Sequence, residues 1–255
     1  MRSVIYGPVP SWRLGKSLGI DLLSTKVKSC SFDCVYCQLG KTTNRLTERR
    51  EFVSCKELEE ALENVRDMEA DYATFSGMGE PSLASNLGDA IKMVKSILKL
   101  PVAVLTNSSL ITRDDVRHEL GYADMVVAKL DASDEELFSA INRPTTRQTL
   151  DEILKALRLF RKEYRGKLAL QMMFIEANKG YASDMKRMAE EIAPDEIQIN
   201  TPLRPCGVDP LSPDEIAIIE REFSSFENVC TVYKAAKPEV VPFDLTETLR
   251  RRPKL

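Results

Sequence analysis

The chain is 255 residues long, 43% apolar and 29% charged, with a net charge of −3 and a single histidine, His118. A chain of this length buries roughly three-quarters of its unfolded surface, enough for one full α/β core, while no apolar stretch approaches the ~20 residues that cross a bilayer. Histidine-rich metal chemistry is excluded for want of ligands, and so is a surface built throughout to grip nucleic acid, although a local basic patch is not.

The opening, Met1 to Gly15, lacks the continuous apolar segment of a secretory signal. A cytoplasmic, reducing setting is therefore expected, in which the six cysteines are thiols or metal ligands rather than disulfides. After this Pro-rich opening, apolar runs of strand length alternate with segments of helical period. Strands are predicted at 18–23, 72–77, 102–107, 125–131, 168–175 and 196–201, with a short seventh at 229–233. Helices are predicted at 55–68, 83–98, 112–120, 150–164, 183–192 and 213–224, several opened by N-caps at Ser54, Thr112, Thr149 and Ser212. Repeated strand-helix pairs with right-handed crossovers curl a parallel sheet into an α/β partial (βα)6 TIM-like barrel over 1–233, with the active site at the carboxyl ends of its strands. The segment 234–255 carries three prolines and Arg250-Arg251-Arg252, and is expected to be an irregular C-terminal extension.

Strand parity sorts the inner wall from the outer, because alternate residues point to opposite sides. Val126, Ala128 and Leu130 suit packing against helices, which sends Val127, Lys129 and Asp131 inside. Leu168, Leu170, Met172 and Phe174 leave Gln171 inside; Ile197 and Ile199 leave Gln198 and Asn200 inside; Val102 and Val104 share a side that excludes Asn107. A polar interior is predicted. Unpartnered buried polar groups cost about 1 to 3 kcal/mol each, so this set points to a ligand or water-filled site, mutual hydrogen bonding being the alternative.

The chemistry is concentrated in Cys30-Ser-Phe-Asp-Cys34-Val-Tyr-Cys37, a CxxxCxxC run in the loop after the first predicted strand. Three thiolates cap three irons of a four-iron cubane and leave the fourth open to an exchangeable ligand. Zinc is the alternative, but it wants a fourth ligand, usually from a second CxxC knuckle, which Cys55, Cys206 and Cys230 do not form. Incidental thiols rarely crowd into one loop.

This run, with the aromatic Tyr36 before its third cysteine, resembles the signature of the radical S-adenosylmethionine (SAM) superfamily. At the end of the second predicted strand, Ser76-Gly77-Met78-Gly79-Glu80-Pro81 is similar to that superfamily's Gly-Gly-Glu element, with glycines permitting close approach and Glu80 accepting from the methionine ammonium. The stretch Gly7 to Gly15 resembles a compact group classed near the archaeal wybutosine-forming tRNA enzymes. The resemblance implies the partial barrel of the radical SAM type, with a 4Fe-4S cluster on Cys30, Cys34 and Cys37 and SAM as cofactors. It also implies a 5′-deoxyadenosyl radical that abstracts a hydrogen atom from an unidentified, anionic small-molecule or RNA substrate, in an oxygen-sensitive enzyme. Lys129 and Asp131 join the cysteines as catalytic candidates. Cofactor contacts are expected from Tyr36 beside the adenine, Ser76, Gly77, Met78, Gly79 and Glu80 at the methionine, Asn107, Lys129 or Asp131 near the ribose and carboxylate, Gln171 on the inner wall, and Asn200 to Leu203 along the adenine. A flavodoxin or ferredoxin is the implied electron donor, a tRNA is a candidate partner, no membrane is involved, and a monomer is expected. The competing function is a glycyl-radical-enzyme activase acting on a partner protein.

Further candidates lie outside these two motifs. Arg204 tops the sixth predicted strand and is a candidate for a substrate anion, a surface role being the alternative. Cys206 is a candidate hydrogen-atom donor, a passive loop thiol being the plainer reading. The basic residues Lys26, Lys28, Lys41, Arg45, Arg49 and Arg50 around the cysteine loop favour an anionic substrate or an electron-carrier docking face, whereas Lys155, Arg158, Lys162 and Arg165 read as a solvated helix face. Cys55, Cys230 and His118 read as structural or surface residues.

Overall fold

In the computed structural model, which describes residues 3–253, the chain order is β1 (Ile5–Ser11), β2 (Gly15–Ile20), β3 (Ser29–Cys30), β4 (Asn44–Arg45), α1 (Cys55–Glu63), β5 (Tyr72–Phe75), α2 (Leu87–Leu98), β6 (Val102–Thr106), α3 (Asp114–Leu120), β7 (Met125–Lys129), α4 (Glu135–Ile141), α5 (Leu150–Glu163), β8 (Lys167–Met173), α6 (Ala182–Ile192), β9 (Glu196–Asn200), α7 (Pro213–Glu222), β10 (Val229–Thr231) and α8 (Leu245–Arg251). One sheet runs β1-β2-β5-β6-β7-β8-β9-β10, parallel throughout except for the antiparallel β1-β2 pair. The two ends do not pair, so the barrel is open.

All seven predicted strands are present. The hairpin strand β1 is additional, and its prolines are what concealed it. Pro8 and Pro10 offer no N–H to a ladder, which confines such a strand to a sheet edge, and β1 occupies that edge with an irregular register between Tyr6 and Val9. The first predicted strand, 18–23, instead starts at Gly15 and stops at Ile20, because the buried Asp21 carboxylate accepts from the Leu23 and Ser24 N–H groups and turns the chain. The helix predicted over 83–98 is divided. Glu80 caps a 3₁₀ turn at Pro81–Leu83, and α2 begins only at Leu87. Ser54, Thr149 and Ser212 cap their helices with reciprocal Glu57, Glu152 and Glu215 bonds, whereas Thr112 does not; α3 starts after Arg113. The two-turn helix α4, capped by Asp134, was not predicted.

The parity assignment matches the outer wall. Val102, Val104, Val126, Ala128, Leu168, Leu170, Met172, Ile197 and Ile199 all join the helices in the main core. The interior is not polar along its whole depth, however. Leu14, Ala103, Met125, Val127 and Ala169 form a separate apolar floor, and the polar side chains sit above it. Gln198 is on the inner face as expected, in register with Gln171 and on the same side of β9 as Asn200, but it is fully buried there, donates to Glu196 Oε1 at 2.7 Å and is not among the residues lining the cavity.

The segment expected to be irregular carries α8, which packs on β1. Gly7 N–H donates to Thr248 Oγ1 at 2.9 Å, Phe243 N–H donates to the Gly7 carbonyl at 2.9 Å, and the Arg251 guanidinium is buried against Asp21 at 2.8 Å.

Candidate active site

The cysteine loop is assembled by backbone bonds from three directions. The Ser29 N–H donates to the Met78 carbonyl at 2.8 Å, so the strand leading into Cys30 lies against the Gly77-Met78-Gly79 turn. The glycines are explained there. A Cβ on Gly79 would overlap the Ser29 carbonyl, and one on Gly77, whose φ is +135°, would overlap the Asp21 side chain. Their requirement is thus chain-on-chain packing, an addition to the ligand approach expected from sequence. Further along, the Val35 and Asp33 N–H groups donate to the carbonyls of Ile141 and Asn142 at 2.9 and 3.0 Å, and Cys37 N–H to Cys34 O at 3.1 Å.

Two amides reach sulfur. Asn107 Nδ2 lies 3.5 Å from Cys30 Sγ, and Asn142 Nδ2 lies 3.5 Å from Cys34 Sγ. Asn142 was not foreseen, because it follows the unpredicted α4. Burial pushes the Cys30 thiol up to about 12 and raises Cys34 as well, despite Lys129 nearby. Burial thus disfavours the thiolate at both positions, and a cysteine thiol must give up its proton to ligate a metal.

Glu80 stands behind this loop at the end of β5, 2% exposed. Its Oε1 accepts from Ser82 N–H at 3.1 Å, Ser82 Oγ at 2.6 Å and Thr106 Oγ1 at 2.7 Å, and its Oε2 accepts from Asn107 N–H at 2.6 Å. Burial raises its pKa against the lowering effect of these bonds. Oε2, with a single partner, keeps capacity for a further donor.

One cavity of about 560 Å³ brings these groups together. Its lining includes Cys30, Cys34, Cys37, Tyr36, Ser76, Gly77, Gly79, Glu80, Asn107, Lys129, Gln171, Asn200 and Leu203. Two of the site residues expected from sequence are not among them. Met78 turns into the core, using its N–H on Asp21 Oδ2 at 3.3 Å. Asp131 lies beneath the wall, 3% exposed, where it accepts from the Tyr36 hydroxyl, from Asn142 Nδ2 at 2.9 Å and from Met173 N–H at 2.8 Å. It sits past the last residue of β7, beyond the reach of strand parity. Through Tyr36 and Lys129 it still shapes the cavity: Lys129 Nζ is 3.6 Å from Asp131 Oδ1 and 4.5 Å from the Tyr36 ring centroid.

Of the two places open to Arg204, the cavity and the surface, it takes the cavity wall, and Arg13, Arg252, Ser17 and Thr74 line the cavity unforeseen. Parity was available for Ser17 and Thr74, which meet at 2.8 Å on β2 and β5, and Arg13 lies inside the Gly7-to-Gly15 stretch. Arg252 had no local signal. Cys206 packs behind Tyr36 with its Sγ 3.2 Å from the Val208 carbonyl, outside the cavity lining. Lys28 and Arg49, counted among the basic loop residues, are instead held inward, Lys28 by the Gly40 carbonyl and Asp33, Arg49 by Asp115 and Glu119.

A partial α/β barrel with a three-cysteine loop and a buried glutamate at the carboxyl ends of its strands defines a class, and the comparisons give the same answer: residues 25–189 match the radical SAM superfamily, to which the chain belongs. It is 39% identical over 234 residues to a UPF0026 protein of Methanocaldococcus jannaschii, covering 89% of this chain and 72% of that one. Among solved structures, Streptococcus suis SuiB bound to S-adenosylmethionine superposes with a TM-score of 0.64 at 16% identity, over 80% of this chain and 48% of SuiB. Archaeal TYW1 superposes with a TM-score of 0.59 at 16% identity, over 82% of this chain and 71% of that one. Both likenesses are of fold, and the chain spans about half the length of SuiB. Enzymes of the superfamily use a 4Fe-4S cluster and SAM, and this chain is an enzyme of that kind.

The residues present fit those cofactors. Among the described residues, no three Cys, His, Asp or Glu side chains gather closely enough to close round one ion. A cubane takes one thiolate at each of three separate corners and needs no such convergence. Amide donors at Cys30 and Cys34 supply the hydrogen bonds to sulfur that tune such clusters. Among the described residues no helix is long and apolar enough to cross a membrane.

Proposed function

We propose that Cys30, Cys34 and Cys37 hold the cluster and that the adjoining cavity takes SAM, its ammonium on Glu80 and its adenosyl part along Tyr36, Asn107, Gln171 and the Asn200-to-Leu203 backbone. When bound, this pair supplies one-electron chemistry that ends in abstraction of a hydrogen atom from the substrate. The observation that carries the reading is that the three cysteines and Glu80, from two separate parts of the sequence, line one cavity. The chain's own contribution is positioning and exclusion. Asp131 and Asn142 fix Tyr36, Lys129 adds a positive charge over the Tyr36 ring, and the apolar floor keeps water from below.

The substrate is an anionic small molecule or an RNA. A flavodoxin or ferredoxin delivers the electron, and exposed Lys26, Lys41, Arg45 and Arg50 around the cysteine loop suit an acidic carrier. No observation favours the activase alternative. The test is anaerobic reconstitution with iron and sulfide, followed by reduction in the presence of SAM. Release of 5′-deoxyadenosine is expected, and its absence from iron-loaded protein would overturn the reading.

A further inference from the structure

Opposite in charge to Glu80, three arginines from distant parts of the chain meet at the same cavity. Arg13 lies in the turn between β1 and β2, Arg204 in the loop after β9, and Arg252 directly after α8. Among the described residues none has a carboxylate within ion-pair distance, whereas the neighbours Arg250 and Arg251 both pair with Glu247. Arg204 Nη1 donates to Gln38 Oε1 at 3.1 Å and Arg252 Nη2 to Ser76 Oγ at 3.4 Å, both neutral partners. Arg13 rests on the Trp12 ring at 5.1 Å. Its Nε and Nη1, and Nε of Arg252, are buried with no hydrogen-bond partner.

Such donors are costly to leave unmade. Burial, with Arg252 nearby, lowers Arg13 to about 9 and Arg204 to about 10; Glu196 and Cys230 act the other way on Arg13. Glu196 is already engaged by Lys167 at 2.5 Å and Gln198 at 2.7 Å. Among the described residues the one carboxylate lining the cavity is that of Glu80, which is held by Ser82, Thr106 and Asn107. Among the described residues, the positive charge of the three guanidiniums is therefore uncompensated.

We infer that Arg13, Arg204 and Arg252 anchor the substrate, and that the substrate is a small phosphate monoester whose terminal dianion they clamp; naming that ligand a substrate rests on the radical chemistry proposed above. A carboxylate presents two oxygens in one plane, which a single guanidinium fork meets edge-on, whereas three forks arriving from three segments match the three free oxygens of a tetrahedral terminal phosphate. An RNA backbone phosphate continues into chain on both sides and carries one charge, and the buried N–H groups inside the cavity are not matched to it.

The test is calorimetric titration of the cluster-reconstituted protein, saturated with SAM and without reductant, in phosphate-free buffer. The probes are inorganic phosphate, glycerol 3-phosphate, succinate and a short RNA. Both phosphates are expected to bind, and succinate about tenfold or more weaker. Arg13→Gln, Arg204→Gln and Arg252→Gln are each expected to weaken glycerol 3-phosphate by about tenfold or more, with Arg204→Lys intermediate. Arg66→Gln, which removes an outer-surface charge paired with Glu63, should change binding by less than about twofold. Circular dichroism separates lost binding from lost folding, and Arg204→Lys keeps the test open if a glutamine variant fails to fold.

Absence of phosphate binding, equal or tighter binding of succinate, binding of RNA alone, or displacement of phosphate by SAM would each overturn the anchoring site. Phosphate binding that depends on the arginines upholds it. Release of 5′-deoxyadenosine is scored separately on the same preparation. Phosphate binding without that release overturns the radical reading and leaves the anion site standing, and the reverse outcome overturns the anion site alone.

Discussion

Glu80 uses four hydrogen bonds to hold itself in place, and three of them fall on Oε1. That leaves Oε2 with a single partner on a fixed, buried carboxyl group that lines the cavity, and an ammonium placed there would favour its charged form. Glu80→Gln removes the charge while keeping the shape. A charge-assisted hydrogen bond contributes ~1.5–3 kcal/mol, so SAM affinity, read by anaerobic titration, is expected to fall by about tenfold or more while iron content stays unchanged. Unaltered affinity would remove Glu80 from the cofactor site. At the same scale, Asp131 shows how far sequence reading reaches. Parity placed Lys129 and Gln171 on the inner wall because both lie within β7 and β8. Asp131 lies two residues past β7, where the chain turns, and it became a positioning residue behind Tyr36.

Among the elements, α7 illustrates a helix end whose charge state feeds stability. Ser212 and Lys179 draw Glu215 from its ordinary value of 4.5 down to about 2, Lys179 first, by hydrogen bonds to its carboxylate. A carboxylate with a lower pKa in the folded chain contributes stability that is full above its unfolded pKa and is lost as pH falls toward the folded one. Glu215→Gln should therefore lower the melting temperature at pH 6, with the gap between variant and wild type closing as pH falls from 4.5 toward 2. A gap that does not change over that range would contradict it. Caps of this kind were legible, since Ser54, Thr149 and Ser212 each precede a glutamate by three residues. β1 was not, because a strand carrying two prolines is stable only once a sheet edge exists for it.

Across the whole molecule, the C-terminal helix is tied to the start of the cysteine loop by one buried ion pair. Asp21, 1% exposed, receives Arg251 Nε at 2.8 Å and the Met78 N–H at 3.3 Å, and its side chain occupies the space beside Gly77. Three regions far apart in sequence thus meet at one carboxylate. Arg251→Ala leaves that carboxylate buried and uncompensated, a loss of roughly 3–5 kcal/mol, to be read as a lower urea midpoint with an unchanged slope. A loss below about 1 kcal/mol would mean that the pair is not a stabilising contact. The barrel was legible from alternating strands and helices. The contribution of α8 and of Arg252 was not, because it arises only when the two ends of the chain fold together.

The most direct measurement is metal content and electron paramagnetic resonance of anaerobically reconstituted protein, wild type against Cys34→Ala, with and without SAM. The wild type should hold about four irons per chain and, once reduced, give a signal that changes when SAM is added, while Cys34→Ala should lose the iron and the signal. Zinc or no metal in the wild type, or a Cys34→Ala variant with full iron and an unchanged response to SAM, would contradict a cluster held by these three cysteines.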